Sequence, residues 1–281
     1  MIAPTSAFCR TPALSLHYRR WQRGDRRVLL LHGLGDLGLV WQGLTEHLSE
    51  CDLVAPDLRG HGLSDKPDQG YDSATVIDDL EALLGHLGWH DCDVIAHSWT
   101  AKVALIWAAR EPGRIRSLTL IDPFFLEPFP RWTKFTFPLL YRTLPFLRLL
   151  GPFPDRKAAE TCARQLKQYR DWSPLQQQVF EAAVEQKPDA TWGSRFCTAA
   201  RDGVFEACLF EAAIAAPLET PVLLLLPEQG LNRSRRQIRS LLRHARRLQI
   251  RTIPGNHWAH LTQPLDCAVI LDTFLTEISG S

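Results

Sequence analysis

Short apolar runs separated by longer helix-like stretches recur along this chain of 281 residues, and that spacing restricts its possible folds more than any other feature. Runs at 14–21, 28–32, 53–56, 92–96, 117–121, 222–226 and 248–253 have strand length. Several are almost wholly apolar, as in Val28-Leu29-Leu30-Leu31 and Val222-Leu223-Leu224-Leu225-Leu226. A strand that is apolar on both faces must be covered on both, which is the condition of a parallel sheet between two helix layers. Segments at 41–48, 73–87, 100–111, 235–244 and 265–278 read as the helices of those layers. The expected class is therefore α/β, with a mostly parallel, doubly wound sheet.

The alternation stops after Asp122. Residues 123–217 read as helical without strands, and residues 124–154 are dense in aromatic side chains, among them Phe124, Phe125, Phe129, Trp132 and Phe135. Prolines at 123, 128, 130, 138, 145, 152 and 154 would break that stretch into short pieces. The expected organisation is a core of residues 1–122 and 218–281, interrupted by a helical cap or lid at 123–217. The lid's rings would pack onto the core, line an apolar pocket, or do both.

Composition removes several function classes. A net charge of +1 lacks the basic excess of a nucleic-acid-binding domain. No run reaches the roughly 18 apolar residues of a bilayer span. The first sixteen residues lack a charged start followed by an apolar core, so a cytoplasmic protein is expected. The seven cysteines form no Cys-x-x-Cys pair, and reduced thiols packed as small hydrophobes are expected. Arginines crowd residues 233–247. On a helix, Arg235, Arg239 and Arg243 would share one face, either plainly solvated or in contact with anionic membrane.

Four stretches carry the chemistry. Leu31-His32-Gly33-Leu34-Gly35-Asp36 follows the run at 28–32, and Asp57-Leu58-Arg59-Gly60-His61-Gly62-Leu63-Ser64 follows 53–56. Ala96-His97-Ser98-Trp99-Thr100 follows 92–96, and Pro254-Gly255-Asn256-His257-Trp258 follows the last strand-like run. In this order they resemble the α/β-hydrolase fold superfamily. The resemblance implies that Ser98 is a nucleophile on a sharp strand-to-helix turn, with His257, rather than His260, as its general base. It implies an oxyanion hole from the backbone N–H groups of Leu34 and Trp99, and it makes His32, Phe124, Phe125 and Trp258 candidates for the substrate pocket. The Asp57 segment reads as structural, with Asp57 and Arg59 in one buried hydrogen-bond cluster.

Two departures from the family pattern stand out. The elbow is usually Gly-x-Ser-x-Gly, whereas Ala96 and Thr100 flank Ser98 here, and a β-branched Thr100 would crowd the helix–strand contact. The family most often places its acid after the strand at 222–226, where this chain reads Pro227-Glu228-Gln229-Gly230. The third member is therefore expected to be Asp122, at the end of the preceding strand, with Glu228 or no acid at all as the alternatives.

A serine hydroxyl needs a neighbouring imidazole to take its proton, and the imidazole needs an anion to fix its tautomer. With serine rather than aspartate at the elbow, the resemblance implies acyl transfer, and the expected function is hydrolysis of a carboxylic ester with an apolar acyl or alcohol group. The alternatives are a ligand-binding, receptor-like homologue without turnover, or another acyl-transfer or carbon–carbon hydrolase. This chemistry implies no organic cofactor and no metal; the expected partner is a small apolar ester.

Overall fold

A computed structural model describes residues 3–124, 126–136, 143–232 and 234–279. Its eight-stranded sheet is built from β1 (Thr5–Arg10), β2 (Ser15–Gln22), β3 (Arg26–Leu31), β4 (Cys51–Pro56), β5 (Cys92–His97), β6 (Ile115–Ile121), β9 (Val222–Gln229) and β10 (Leu248–Asn256). The order across the sheet is β1-β2-β4-β3-β5-β6-β9-β10. The β1–β2 and β2–β4 pairs are antiparallel, and every pair from β4 to β10 is parallel.

The two-residue period of a strand explains why both faces had to be apolar. Leu29, Leu31, Val94, Ala96, Leu118, Leu120 and Leu224 point into one core, while Val28, Leu30, Ile95, Ile121, Leu223 and Leu225 point into the other. Helix α2 (Ser73–Leu87) has the expected bounds because both ends are signalled locally. Asp72 caps it by accepting from the N–H of Thr75, and Gly88 ends it in the left-handed region at φ 67°. Helix α3 (Trp99–Arg110) starts one residue after β5, so a single position, Ser98, turns the chain from sheet to helix.

Several expectations need correction. Residues 123–217 are not free of strands: β7 (Val184–Gln186) and β8 (Trp192–Ser194) form a small antiparallel pair among helices there. Three-residue strands leave no apolar run to detect. The segment at 41–48 divides into a 3-10 turn, Gly38–Trp41, and a short α1, Gln42–Thr45. Among the described residues of the arginine-rich stretch only Arg239–His244 is helical, so Arg235 does not share a helix face with Arg239 and Arg243, and Arg239 lies 3.5 Å from Glu127. Arg59 does not pair with Asp57. It makes a two-pronged bond to Asp79, while Asp57 binds His17 and Arg19.

All seven cysteines are free and lie buried or half-buried. Among the described residues, no helix is long and apolar enough to cross a membrane.

Candidate active site

The turn between β5 and α3 forces Ser98 to φ 62° and ψ −121°, a backbone conformation that residues with a side chain rarely adopt. Neighbouring strands hold it there. The N–H of Ser98 donates to the carbonyl of Ile121 at 3.0 Å, and its own carbonyl accepts from the N–H of Phe124 at 3.0 Å. Thr100 does not crowd the turn. Its hydroxyl lies 2.8 Å from the carbonyl of His97 and 3.0 Å from that of Leu31, so it ties the start of α3 to the ends of β5 and β3. Ala96 is fully buried beneath the turn.

The loop after β10 brings His257 to this point. Its Nε2 lies 3.1 Å from Ser98 Oγ, and its Nδ1 lies 2.7 Å from Asp122 Oδ2. Asp122, directly after β6, is fully buried at φ 41°. Its carboxylate also accepts from the N–H of Leu231 at 2.8 Å, the N–H of Asn232 at 3.2 Å and the amide Nδ2 of Asn232 at 2.9 Å. Burial works to raise its pKa, but the His257 bond and these other donors outweigh it and hold the group below the usual carboxylate range. Glu228, the other acid considered, is exposed near the end of β9.

The two acid positions compete for one space. A Cβ built on Gly230 would fall 2.7 to 2.9 Å from the carboxyl atoms of Asp122. Glycine therefore stands at the position where the resembling family most often carries its acid, and the carboxylate fills that space from the neighbouring strand.

Ser98 and His257 open onto a cavity of about 590 Å³. Leu34, Trp99, Phe124, Phe146, Phe205 and Trp258 supply much of its apolar wall. Of the pocket residues expected from sequence, Phe124 and Trp258 are present. His32 is not: it is fully buried, its Nδ1 donates to the carbonyl of Gly33, and its Nε2 accepts from the N–H of Leu58. That ring ties the loop after β3 to the loop after β4. Phe125 lies outside the described residues. Phe146 is one of the rings of the aromatic-rich stretch 124–154, whereas Phe205, in a helix between β6 and β9, carried no such signal.

Behind His257 lie three more titratable groups. His97 Nε2 donates to the carbonyl of His257 at 2.8 Å, the ring of His260 sits 4.3 Å from that of His97, and Trp258 Nε1 donates to Asp36 at 3.1 Å. Burial raises the Asp36 carboxyl to about 7. A Cβ on Gly33 would meet His97 Nδ1 at 2.5 Å, so the His97 ring depends on glycine at that position.

The sequence model of a family described as alpha/beta hydrolase fold matches residues 26–264. The chain is 38% identical over 111 residues to Lipase LipV of Mycobacterium tuberculosis, covering 39% of this chain and 42% of that protein. It is 35% identical over 109 residues to a haloalkane dehalogenase of Mesorhizobium japonicum, covering 38% and 35%. The matches thus span about two-fifths or less of these relatives. Among solved structures, E-2-(acetamidomethylene)succinate hydrolase superposes with a TM-score of 0.81 at 23% identity, over 97% of this chain and 99% of that one. A thioesterase domain from the curacin biosynthetic pathway superposes with a TM-score of 0.77 at 19% identity, over 97% and 100%. At those identities the likeness is one of fold.

Proposed function

This chain belongs to the alpha/beta hydrolase fold family, and from that premise we propose that it is a serine hydrolase acting on carboxylic esters through an acyl-enzyme on Ser98. The observation that carries the reading is the unbroken relay from Asp122 through His257 to Ser98, at 2.7 and 3.1 Å, opening onto an apolar cavity.

Ser98 Oγ attacks the ester carbonyl as His257 Nε2 takes its proton. Asp122 accepts from Nδ1–H, which leaves Nε2 free to act as base and favours the imidazolium once formed. The oxyanion that develops is held by the N–H groups of Leu34 and Trp99. Both residues border the cavity, and Trp99 opens α3, where backbone N–H groups have no partner within the helix. Collapse of the tetrahedral intermediate breaks the ester C–O bond, and His257 returns the proton to the departing alcohol. Water, activated by the same imidazole, then hydrolyses the acyl-serine.

Residues 123–217 act as the lid over a core of residues 1–122 and 218–281, because they supply Phe124, Leu144, Phe146, Leu166 and Phe205 to the cavity. Those walls favour an apolar acyl or alcohol group. Hydrolysis of p-nitrophenyl acetate, butyrate and octanoate tests the reading. Turnover is expected to favour the longer chains and to vanish in Ser98→Ala. Equal rates in the wild type and that variant would refute it.

A further inference from the structure

We propose that Asp36, His97 and His260 form a binding site for one divalent first-row transition cation, such as zinc, directly behind the candidate general base. The three residues come from separate elements: the loop after β3, the last position of β5, and the short helix Ala259–Thr262 that follows His257. One ligand atom from each lies within 4.8 Å of the others, and all three side chains are buried.

Unmet hydrogen bonding points to a cation. His97 Nδ1 and both ring nitrogens of His260 are buried without a hydrogen-bond partner among the described residues. A buried polar atom left without a partner is costly, and three of them converge here. Nδ1 of His97 is also a bare lone pair, because the carbonyl it faces through Nε2 can only accept, which places the proton of the neutral ring on Nε2. Asp36 Oδ2 lies 3.7 Å from that lone pair, too far for a hydrogen bond. A divalent cation between them would bond both and engage one nitrogen of His260 as a third.

The chemistry of the donors suits the proposed ion. Two imidazoles and one carboxylate favour first-row transition cations over magnesium or calcium. A ligating histidine usually donates its other N–H to a carbonyl or carboxylate, as His97 does to His257. Burial lowers the pKa values of His260 and His97 and raises that of Asp36, so the rings favour the neutral, ligating form while the carboxyl gives up a proton on binding. Asp36 and His97 border the cavity, which gives an ion a route in. Bonds of about 2.0–2.1 Å would require the three ligands to draw inward slightly.

Binding there has a functional consequence. The rings of His97 and His257 are 4.4 Å apart, so a cation on His97 opposes the positive charge that His257 must acquire during catalysis. The site is therefore inhibitory. Only this consequence rests on the proposed hydrolase function; the binding does not.

Cobalt(II) and zinc chloride titrations of the apo protein, followed by visible absorption, native mass and thermal melting, test the site in both the wild type and Ser98→Ala. The Ser98→Ala variant keeps all three ligands but has no turnover to lose. One cation per chain is expected in both, with cobalt d–d bands and a raised melting temperature. Asp36→Asn and His260→Phe should each weaken binding by more than the roughly 10–100-fold that an outer-shell partner contributes. Phenylalanine preserves the ring that packs 4.4 Å from Trp41. Absence of stoichiometric binding, or binding unchanged in both folded ligand variants, would overturn the proposal.

Discussion

At the scale of single residues, the position of the proposed acid turns on the absence of a side chain. Gly230 leaves room for the Asp122 carboxylate, and its replacement by alanine would push a methyl group against it. Gly230→Ala is expected to reduce kcat on the order of 10²-fold, the typical penalty for a catalytic group displaced by about 1 Å. An unaltered kcat would show that the carboxylate has slack there. Asp122→Asn should cost up to ~10⁴-fold in kcat, because an amide cannot enforce the productive tautomer of His257. Ser98 and His257 were legible in the sequence because each sits in a local motif beside a strand end. Asp122 could be preferred over Glu228 or no acid but not fixed: the choice depends on space between β6 and β9, more than a hundred residues apart in the chain. His32 misled for a related reason, since a histidine beside a glycine loop looks the same whether it faces a cavity or ties two loops together.

At the scale of elements, the elbow shows how a strained turn survives without its usual glycines. The Thr100 hydroxyl meets two strand-end carbonyls, a role that glycine could not perform. Thr100→Val keeps the shape and removes the hydroxyl, and is expected to lower stability by about 1–3 kcal/mol. A denaturant midpoint equal to that of the wild type would mean the turn is held by its backbone bonds alone. The central strands and α2 were readable because burial on both faces and explicit caps leave local marks. The edge strand β1 was not, since most of its side chains are exposed or half-buried. The β7–β8 pair was missed because its strands are too short to show a period.

At the scale of the whole molecule, buried histidines set the response to acid. His32, His61, His97 and His260 are all fully or almost fully buried. Burial lowers their pKa values, to about 4 for His32 and about 3 for His260. Below pH ~6.5 the unfolded chain takes up protons at these rings while the native state does not, so stability falls as pH falls. Asp36 opposes this trend, because its raised pKa makes the native state the better proton binder between about pH 4 and 7. Four rings against the raised carboxyls of Asp36 and Asp79 leave a net loss of stability as the pH falls through about 6. Urea midpoints at pH 7, 6 and 5 should therefore fall steeply, and a flat profile would mean that these rings are not held neutral. The relay itself is tested most directly by intact mass after exposure to a fluorophosphonate that traps activated serines. The account predicts one adduct per chain, absent in Ser98→Ala and formed more slowly in Asp122→Asn. No adduct on the folded wild type, or an adduct that persists in Ser98→Ala, would contradict it and favour a ligand-binding protein that lacks turnover.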